Sequence, residues 1–339
     1  MKAALLASKG ELAVREIPDA AHEGWAVVET RAAGICGTEL HIIDALFEPP
    51  RYPFTIGHEA AGVVASAPEG SPVRAGQRVA VYNMIGCGHC EWCRSGNPQV
   101  CTEPVGQLGF TLDGTFSDYI AVPAENLVPL PDEVSFADAA LLSCAGMTAV
   151  HASRLGGVAL GDVVVVDGVG GVGLMMIQVA RACGADVLAI ADEETKAELA
   201  RAAGAERCIV LGPGGYADVA EAVREATSGA GASHFVELVG TEESMLAGLR
   251  SLRRHGTFVS IGYTGEHLNV HPVELILSEL RWVSSVAASR RDLETAVGLC
   301  AGGRLETVVD TRYPLDQVGV GLDRLRARKV SGRNVLVWE

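Results

Sequence analysis

The hydrophobic and polar positions divide the chain into two parts with different periodicity. Up to about residue 145, short alternating stretches are separated by turn residues, which is typical of β-strands. From about residue 146, apolar runs of strand length alternate with helical patterns. The strands predicted in this second part are 163–167, 187–191, 207–211, 234–239, 257–262 and 282–287. Six strands that alternate with helices predict an α/β domain with a doubly wound, parallel six-stranded sheet.

A glycine turn follows the first of these strands. The four valines 163–166 indicate a strand that is buried on both faces. They lead into the pattern G-x-G-x-x-G, formed by Gly168, Gly170 and Gly173, and then into a predicted apolar helix at 174–183. A strand, a glycine turn and a helix in this order are typical of a dinucleotide site, where the N–H groups of the helix start face the pyrophosphate.

An acid ends the second of these strands. Asp192 follows the glycine turn at close to the spacing of about 20 residues that is expected for the carboxylate that binds the adenosine ribose. Such a carboxylate accepts hydrogen bonds from the ribose hydroxyls and repels a 2′-phosphate, so Asp192 favours NAD over NADP. The alternative is a structural glycine turn with a solvated acid after it.

Composition narrows the class of protein. The chain has 339 residues, 48% of them hydrophobic and 20% charged, which favours two globular domains. The formal net charge of −15 argues against nucleic acid or an anionic membrane as a partner. No apolar run reaches the roughly 18 residues of a membrane span, and the short apolar N-terminus does not fit a signal peptide. We therefore expect a cytoplasmic protein.

Four of the nine cysteines form a compact pattern. Cys87, Cys90, Cys93 and Cys101 have the spacing C-x2-C-x2-C-x7-C. Four thiolates make a closed tetrahedral zinc site that stabilises a loop and leaves no position for a substrate. An iron–sulfur cluster and an empty or oxidised site are the alternatives, although the common ferredoxin pattern has a shorter last gap. His89 lies inside the segment and is not needed as a ligand.

A second set of metal-binding residue types is dispersed along the chain. Cys36 and His58 lie on separate predicted loops, and Cys144 lies just before the dinucleotide-binding region. Each alone is more often a structural core residue. A thiolate, an imidazole and a second thiolate together suit a zinc ion that keeps an open coordination position.

These motifs together resemble the zinc-dependent medium-chain alcohol dehydrogenase family. The resemblance covers essentially the whole chain. It rests on five motifs in the family's order, namely C-G-T-E-x-x-H from Cys36, G-H-E-x-x-G from Gly57, the four cysteines from Cys87, C-A-G-M-T from Cys144 and the glycine turn from Gly168.

The resemblance implies an α/β protein with two domains. A GroES-like, β-rich catalytic domain would comprise residues 1–145 and 287–339, with a structural zinc lobe at about 84–104. A Rossmann NAD-binding domain would comprise residues 146–286. The catalytic domain would be discontinuous because a closing strand at 333–338 returns to it.

The same resemblance implies roles for individual residues. Cys36, His58 and Cys144 would hold a catalytic zinc beside Glu59, in a cleft between the domains, and the four-cysteine lobe would hold a second, structural zinc. Glu39 would orient His58, in a position where Asp is usual. The alcohol proton would leave through the Thr38 hydroxyl, the cofactor ribose and then His41. The cofactor-binding residues would be Gly168, Gly170, Gly171, Val172, Gly173, Asp192, Lys196 and Thr148.

The implied reaction is the reversible transfer of a hydride between a primary or secondary alcohol and NAD, which gives an aldehyde or ketone. The partners would be this small substrate and further copies of the chain in a homodimer or homotetramer. Two other hypotheses stay open, a zinc-free enone or quinone reductase of the same fold and a nucleotide-binding protein without turnover. The intact set of zinc ligands weighs against the first.

Overall fold

The computed structural model describes residues 1–338, which form two compact units. The first unit contains residues 1–147, 288–303 and 307 onwards, and the second contains residues 148–287 and 304–306. None of the helices within residues 1–338 is long and apolar enough to cross a membrane.

The first 146 residues contribute mainly short strands to the first unit. The strands are β1 (Lys2–Ser8), β2 (Glu11–Glu16), β3 (Ala26–Ile35), β4 (Phe54–Thr55), β5 (Ala61–Ser66), β6 (Arg78–Val81), β7 (Met84–Ile85), β8 (Gly106–Gln107), β9 (Tyr119–Val122) and β10 (Leu127–Pro129). The helices are α1 (Gly37–Ile43), α2 (Glu91–Arg94) and α3 (Phe136–Leu141), and α3 continues into a π-helical turn at Leu142–Gly146. Short 3-10 turns lie at Pro98–Val100 and Ala124–Asn126.

The second unit alternates strands with helices. After α4 (Met147–Gly156), the elements are β11 (Val163–Asp167), α5 (Gly171–Ala182), β12 (Asp186–Ala191), α6 (Glu194–Ala202), β13 (Arg207–Val210), α7 (Val219–Ala226), β14 (Ala232–Glu237), α8 (Glu242–Ser251), β15 (Leu252–Ser260), α9 (Pro272–Ile276) and β16 (Arg281–Ser284). The six strands form one parallel sheet with the order β13-β12-β11-β14-β15-β16. The predicted doubly wound, parallel six-stranded sheet is confirmed.

The end of the chain returns to the first unit. Its elements are α10 (Arg290–Ala301), β17 (Val309–Tyr313), a 3-10 turn (Leu315–Gln317), α11 (Val318–Arg326) and β18 (Arg333–Val337). β18 pairs with β3 in antiparallel register, with Asn334 opposite Ile35 and Leu336 opposite Ala33. The main sheet of this unit has the order β10-β6-β5-β3-β18-β17, with β9 also paired to β3.

Each unit has its own apolar core. In the first unit, one cluster centres on Leu6, Ile35, Phe54 and Leu336, all fully buried. In the second unit, side chains from the central strands pack together because the strands are covered by helices, as the valine run predicts. These cores fix the ends of β3 and β11. The first candidate functional residues of each unit, Cys36 and Gly168, directly follow these two strands.

Candidate active site and metal centres

Four side chains of the first unit converge on one point. One ligand atom each from Cys36, His58, Glu59 and Cys144 lies within 4.8 Å of the others. The His58 Nε2 atom lies 3.3 Å from the Cys144 Sγ atom. The structure therefore brings together the three predicted zinc ligands and the acid that was expected beside them.

Local backbone features aim these side chains. Cys36 has an extended backbone at the junction of β3 and α1, where the chain changes direction. Gly57 precedes His58 with a φ of +98°, and a Cβ at Gly57 would overlap the ring of Phe116. Cys144 lies in the middle of the π-helical turn, a distortion that helices often show at functional sites.

Glu39 orients two of the candidate ligands. Its Oε1 atom lies 2.6 Å from His58 Nδ1, and its Oε2 atom accepts a hydrogen bond of 2.7 Å from the backbone N–H of Cys36. Burial has the largest single effect on the pKa of His58 and lowers it, but the charge of Glu39 and the hydrogen bonds to Cys36 and Glu39 together raise this pKa well above its usual value. When Nδ1–H is donated to Glu39, Nε2 is the ring atom that faces the cluster, and it becomes a metal ligand once its proton is lost.

Arg333 is a member of the site that the sequence did not identify. Its Nη2 atom lies 3.1 Å from Glu59 Oε1, and both side chains are buried. Burial raises the pKa of Glu59 to about 8, although Arg333 acts to lower it. A Cβ at Gly34 would overlap the Glu59 carboxylate, so this position has room only for glycine. The only signal in the sequence was a charged residue at the start of an apolar strand.

The donor set and its charges fit a zinc ion. A hydrogen bond from Cys144 and the charge of Arg333 hold the pKa of Cys36 well below its usual value, against the effect of burial. Both oxygens of Glu59 are buried without a hydrogen-bond partner among residues 1–338. Two cysteine sulfurs and an imidazole nitrogen are the donors that Zn²⁺ prefers, and the buried Glu59 oxygens lie beside them.

The predicted proton-relay residues lie beside this cluster. The Thr38 Oγ1 atom lies 3.6 Å from the Cys36 Sγ atom, and His41 follows one turn later on α1. Both side chains are half-buried. The Phe110 ring meets the His58 ring edge-on at 5.6 Å between centroids, and Phe47 lies 6.4 Å from Phe110. The cluster thus has an aromatic wall on one side.

The four-cysteine segment forms a separate cluster. The Sγ atoms of Cys87 and Cys93 lie 3.9 Å apart, and those of Cys90 and Cys101 lie 3.7 Å apart. Four sulfurs at about 2.3 Å from one zinc ion would be separated by about 3.8 Å in a tetrahedron. All nine cysteines are free. The spacing of the sulfurs therefore fits a tetrahedral metal site.

Backbone N–H groups donate hydrogen bonds to sulfur atoms of this cluster. The N–H groups of Cys87, Cys90 and Cys93 donate to sulfur atoms of Cys101, Cys87 and Cys90 at 3.3 to 3.4 Å. The N–H of Cys93 lowers the pKa of Cys90 to about 6. His89 instead directs Nδ1 to the Cys87 carbonyl oxygen at 2.9 Å and is exposed. His89 is therefore not a member of the sulfur cluster.

The glycine turn of the second unit is shaped to accept a phosphate group. Gly168 has a φ of +104°, and a Cβ at Gly173 would overlap the Gly168 carbonyl oxygen. Gly170 is exposed, and no atom of residues 1–338 lies within 4 Å of the position of its missing Cβ. The backbone is thus open to a ligand at the point where α5 begins with Gly171 and Val172.

The predicted ribose acid is paired with the lysine next to it. The Asp192 Oδ2 atom accepts a hydrogen bond of 2.8 Å from Lys196 Nζ, across one helical turn. Asp192 is exposed at the carboxyl end of β12, while Lys196 is half-buried on α6. Thr148 lies buried near the start of α4. The open turn and Asp192 together form a surface that suits a dinucleotide.

Two family models match the chain. Residues 22–132 match the alcohol dehydrogenase GroES-like domain, and residues 171–302 match the zinc-binding dehydrogenase model. An alcohol dehydrogenase of Geobacillus stearothermophilus is 31% identical over 342 residues, which cover 99% of each chain. A NAD-dependent alcohol dehydrogenase of Sulfurisphaera tokodaii is 30% identical over 350 residues, which cover 99% of this chain and 100% of the relative.

A solved structure has the same fold over its full length. The crystal structure of an alcohol dehydrogenase from the archaeon Aeropyrum pernix matches this chain with a TM-score of 0.91 at 28% identity, and the match covers 100% of both chains.

Proposed function

Because the chain belongs to the zinc-dependent medium-chain alcohol dehydrogenase family, we propose that it catalyses reversible hydride transfer between a primary or secondary alcohol and NAD, giving an aldehyde or ketone. The observation that carries this proposal is the convergence of Cys36, His58 and Cys144 with Glu59 in the first unit. Three nitrogen and sulfur donors leave a coordination position for a substrate oxygen, which a closed four-cysteine site does not.

Zinc at this cluster would supply Lewis acidity that lowers the pKa of an alcohol. Cys36, His58 and Cys144 would hold it, and Glu39 would keep His58 in the tautomer that presents Nε2. Arg333, whose Nη2 atom lies 3.1 Å from Glu59 Oε1, would balance part of the negative charge of the cluster. The four-cysteine lobe would hold a second zinc in a structural role.

The chain's own polar groups would handle the proton. Thr38 lies beside Cys36, where its hydroxyl can accept a proton from a substrate hydroxyl and donate its own. His41 lies one turn further along α1, half-buried and near the surface, and would pass the proton to solvent. Phe110 and Phe47 would exclude water from the reacting atoms and contact the carbon part of the substrate.

The second unit would bind the cofactor. Gly168, Gly170 and Gly173 would allow the pyrophosphate to approach the backbone, and Asp192 would accept hydrogen bonds from the adenosine ribose. In this proposal Gly171, Val172 and Thr148 line the rest of the cofactor site, and Lys196 supports Asp192 through their ion pair.

An assay with a panel of alcohols tests the whole proposal. We expect turnover with NAD, little with NADP, and loss of turnover after a chelator removes zinc, with two zinc ions per chain by elemental analysis before treatment. Reduced nicotinamide absorbance follows the reaction. Full activity in protein shown to be free of zinc would contradict the proposal and favour the metal-free reductase.

We also propose that the chain forms a homodimer or homotetramer. β16 is an edge strand of the six-stranded sheet, and it exposes part of Trp282. Ile276 and Leu277, at 68% and 70% exposure, lie just before it. Unpaired strand edges with apolar neighbours favour pairing between chains. We expect a mass of two or four chains in sedimentation equilibrium, whereas a single-chain mass at micromolar concentration would contradict the proposal.

A further inference from the structure

Two buried carboxyl groups lie side by side at one end of the parallel sheet. Asp167 ends β11 and Glu237 ends β14, and these two residues are direct partners in the pairing of the strands. Adjacent strands lie about 4.8 Å apart, and paired side chains leave the same face of a parallel sheet. The two residues are 1% and 0% exposed. They mark the point where the strand order reverses, outside which open α/β sheets bind ligands.

Each carboxyl group has one oxygen with partners and one without. Asp167 Oδ1 accepts a hydrogen bond of 3.1 Å from the Tyr216 hydroxyl, and Glu237 Oε1 accepts from the backbone N–H groups of Val239 and Gly240 at 2.9 and 2.7 Å. Asp167 Oδ2 and Glu237 Oε2 are buried and have no hydrogen-bond partner in the described part of the chain. If both groups were ionised, neither of these oxygens would have a donor, whereas a group that keeps its proton carries a donor of its own.

The charges around the pair favour the protonated form. Burial and the charge of Glu237 raise the pKa of Asp167 to about 8, while the Tyr216 hydroxyl acts to lower it. Burial also raises the pKa of Glu237, with its hydrogen bonds acting in the opposite direction. Asp192, at the end of the neighbouring strand, acts on Tyr216 and is itself paired with Lys196. These effects favour a pair that keeps a proton over one that carries two negative charges.

The pair is joined directly to the glycine turn. Asp167 immediately precedes Gly168, and its carbonyl oxygen accepts a hydrogen bond of 3.1 Å from the Leu238 N–H. The side chains of Leu238 and Val239, which follow Glu237, pack against Gly168. A change of charge on the pair would therefore act on both loops that border the cofactor surface.

We propose that Asp167 and Glu237 share one proton at the end of the sheet, and that loss of this proton weakens dinucleotide binding. The proposal rests on the proposed function, because it takes the glycine turn to hold the pyrophosphate. Ionisation of the second carboxyl group adds a buried negative charge next to the turn, and this charge repels the phosphates.

The first test is a fluorescence titration of NADH binding from pH 6.5 to 9.5. The affinity of the wild-type protein should fall by roughly tenfold or more across this range. Asp167→Asn should bind with constant affinity, since its amide oxygen can accept from Tyr216 and its NH₂ can donate to Glu237. A wild-type affinity that does not change, or the same fall in Asp167→Asn, would overturn the proposal.

Two further variants should shift the midpoint of this fall in opposite directions. Tyr216→Phe removes a hydroxyl that stabilises the ionised Asp167, so the midpoint should move to higher pH. Glu237→Gln removes the charge that disfavours ionisation of Asp167 and adds an NH₂ that can donate to it, so the midpoint should move to lower pH. If the two midpoints do not move, or move in the opposite directions, the result would count against a shared proton. A purely structural role of these residues predicts no such pair of opposite shifts in the midpoint.

Thermal unfolding separates this proposal from the proposed function. An unfolded Asp ionises near pH 4, but folded Asp167 ionises near pH 8. The folded state therefore holds the extra proton between these values, and stability falls as pH rises through that window. Asp167→Asn lacks this dependence, so its advantage in melting temperature should grow from pH 5 to 8. If this difference in melting temperature grows but neither protein binds NADH at any pH, the proposed NAD site and the effect on binding are wrong. If the difference stays constant from pH 5 to 8, the proposal of a shared proton is wrong.

Discussion

Replacing Cys36 by serine is expected to lower kcat/KM for alcohol oxidation by about 10³-fold or more. Cys36 supplies one of the two sulfur atoms of the cluster, and its low thiol pKa suits it to hold a cation. A lost catalytic metal removes several kcal/mol of charge stabilisation from the transition state, and each 1.36 kcal/mol corresponds to a tenfold change in rate. NADH affinity should stay at the wild-type value, because the proposed cofactor residues lie in the second unit. Steady-state kinetics, zinc analysis and an NADH titration measure the three effects.

Cys183→Ser provides the matched control. Cys183 is an exposed cysteine at the end of α5 and belongs to neither sulfur cluster. This variant should keep its zinc content, its kcat/KM and its NADH affinity. A Cys36→Ser protein with wild-type kcat/KM would show that the cluster does not hold a catalytic metal, and an equal loss in both variants would point to damage by thiol replacement in general.

The central strands could be predicted because a strand that is buried on both faces has a continuous run of apolar residues. The four valines 163–166 occupy β11, a central strand of the parallel sheet, and a strand covered by helices on both faces is apolar on both. The turn after β11 could also be predicted locally, because the glycine spacing reflects backbone geometry. The acid after β12 could be predicted from its place at the end of an apolar strand. Information of this kind lies within about ten residues along the chain.

Element boundaries were less accurate for physical reasons. We predicted the helix after the glycine turn from Leu174, but α5 begins at Gly171, because the glycines that shape the turn also form the first helical turn. We predicted a strand from 257, but β15 begins at Leu252, and its first residues are charged and exposed. Neither start carries the apolar periodicity on which the prediction depended.

Partners that are distant in sequence could not be predicted. Arg333 begins the last strand, and its ion pair with Glu59 exists only because β18 pairs with β3. Asp167 was visible as an acid at the end of an apolar strand, but its neighbour Glu237 is defined by the parallel pairing of β11 with β14. The motifs identified candidate ligands, while the charges that surround them depend on sheet register, which no local pattern contains.

Replacing Asp192 by alanine is expected to change the choice between NADH and NADPH by about 10²-fold or more. The carboxylate would accept hydrogen bonds from the adenosine ribose, and hydrogen bonds to a charged group contribute about 1.5–3 kcal/mol, or roughly 10- to 150-fold in affinity. NADH binding should weaken by this factor. NADPH binding should improve, because Lys196 loses its partner and can pair with a 2′-phosphate. Glu193 and Glu194 remain exposed nearby and limit the gain.

The control for this change lies on the same strand. Asp186 is an exposed acid at the opposite end of β12, so Asp186→Ala removes the same charge far from the glycine turn. It should leave both affinities within about twofold of the wild type, since surface charges separated by more than the Debye length of about 8 Å are largely screened. Equal ratios of NADH to NADPH affinity in the wild type and Asp192→Ala would show that this carboxylate does not contact the ribose. A shift of the same size in Asp186→Ala would assign the effect to net charge. Both variants lose one negative charge, but only Asp192 would contact the ribose.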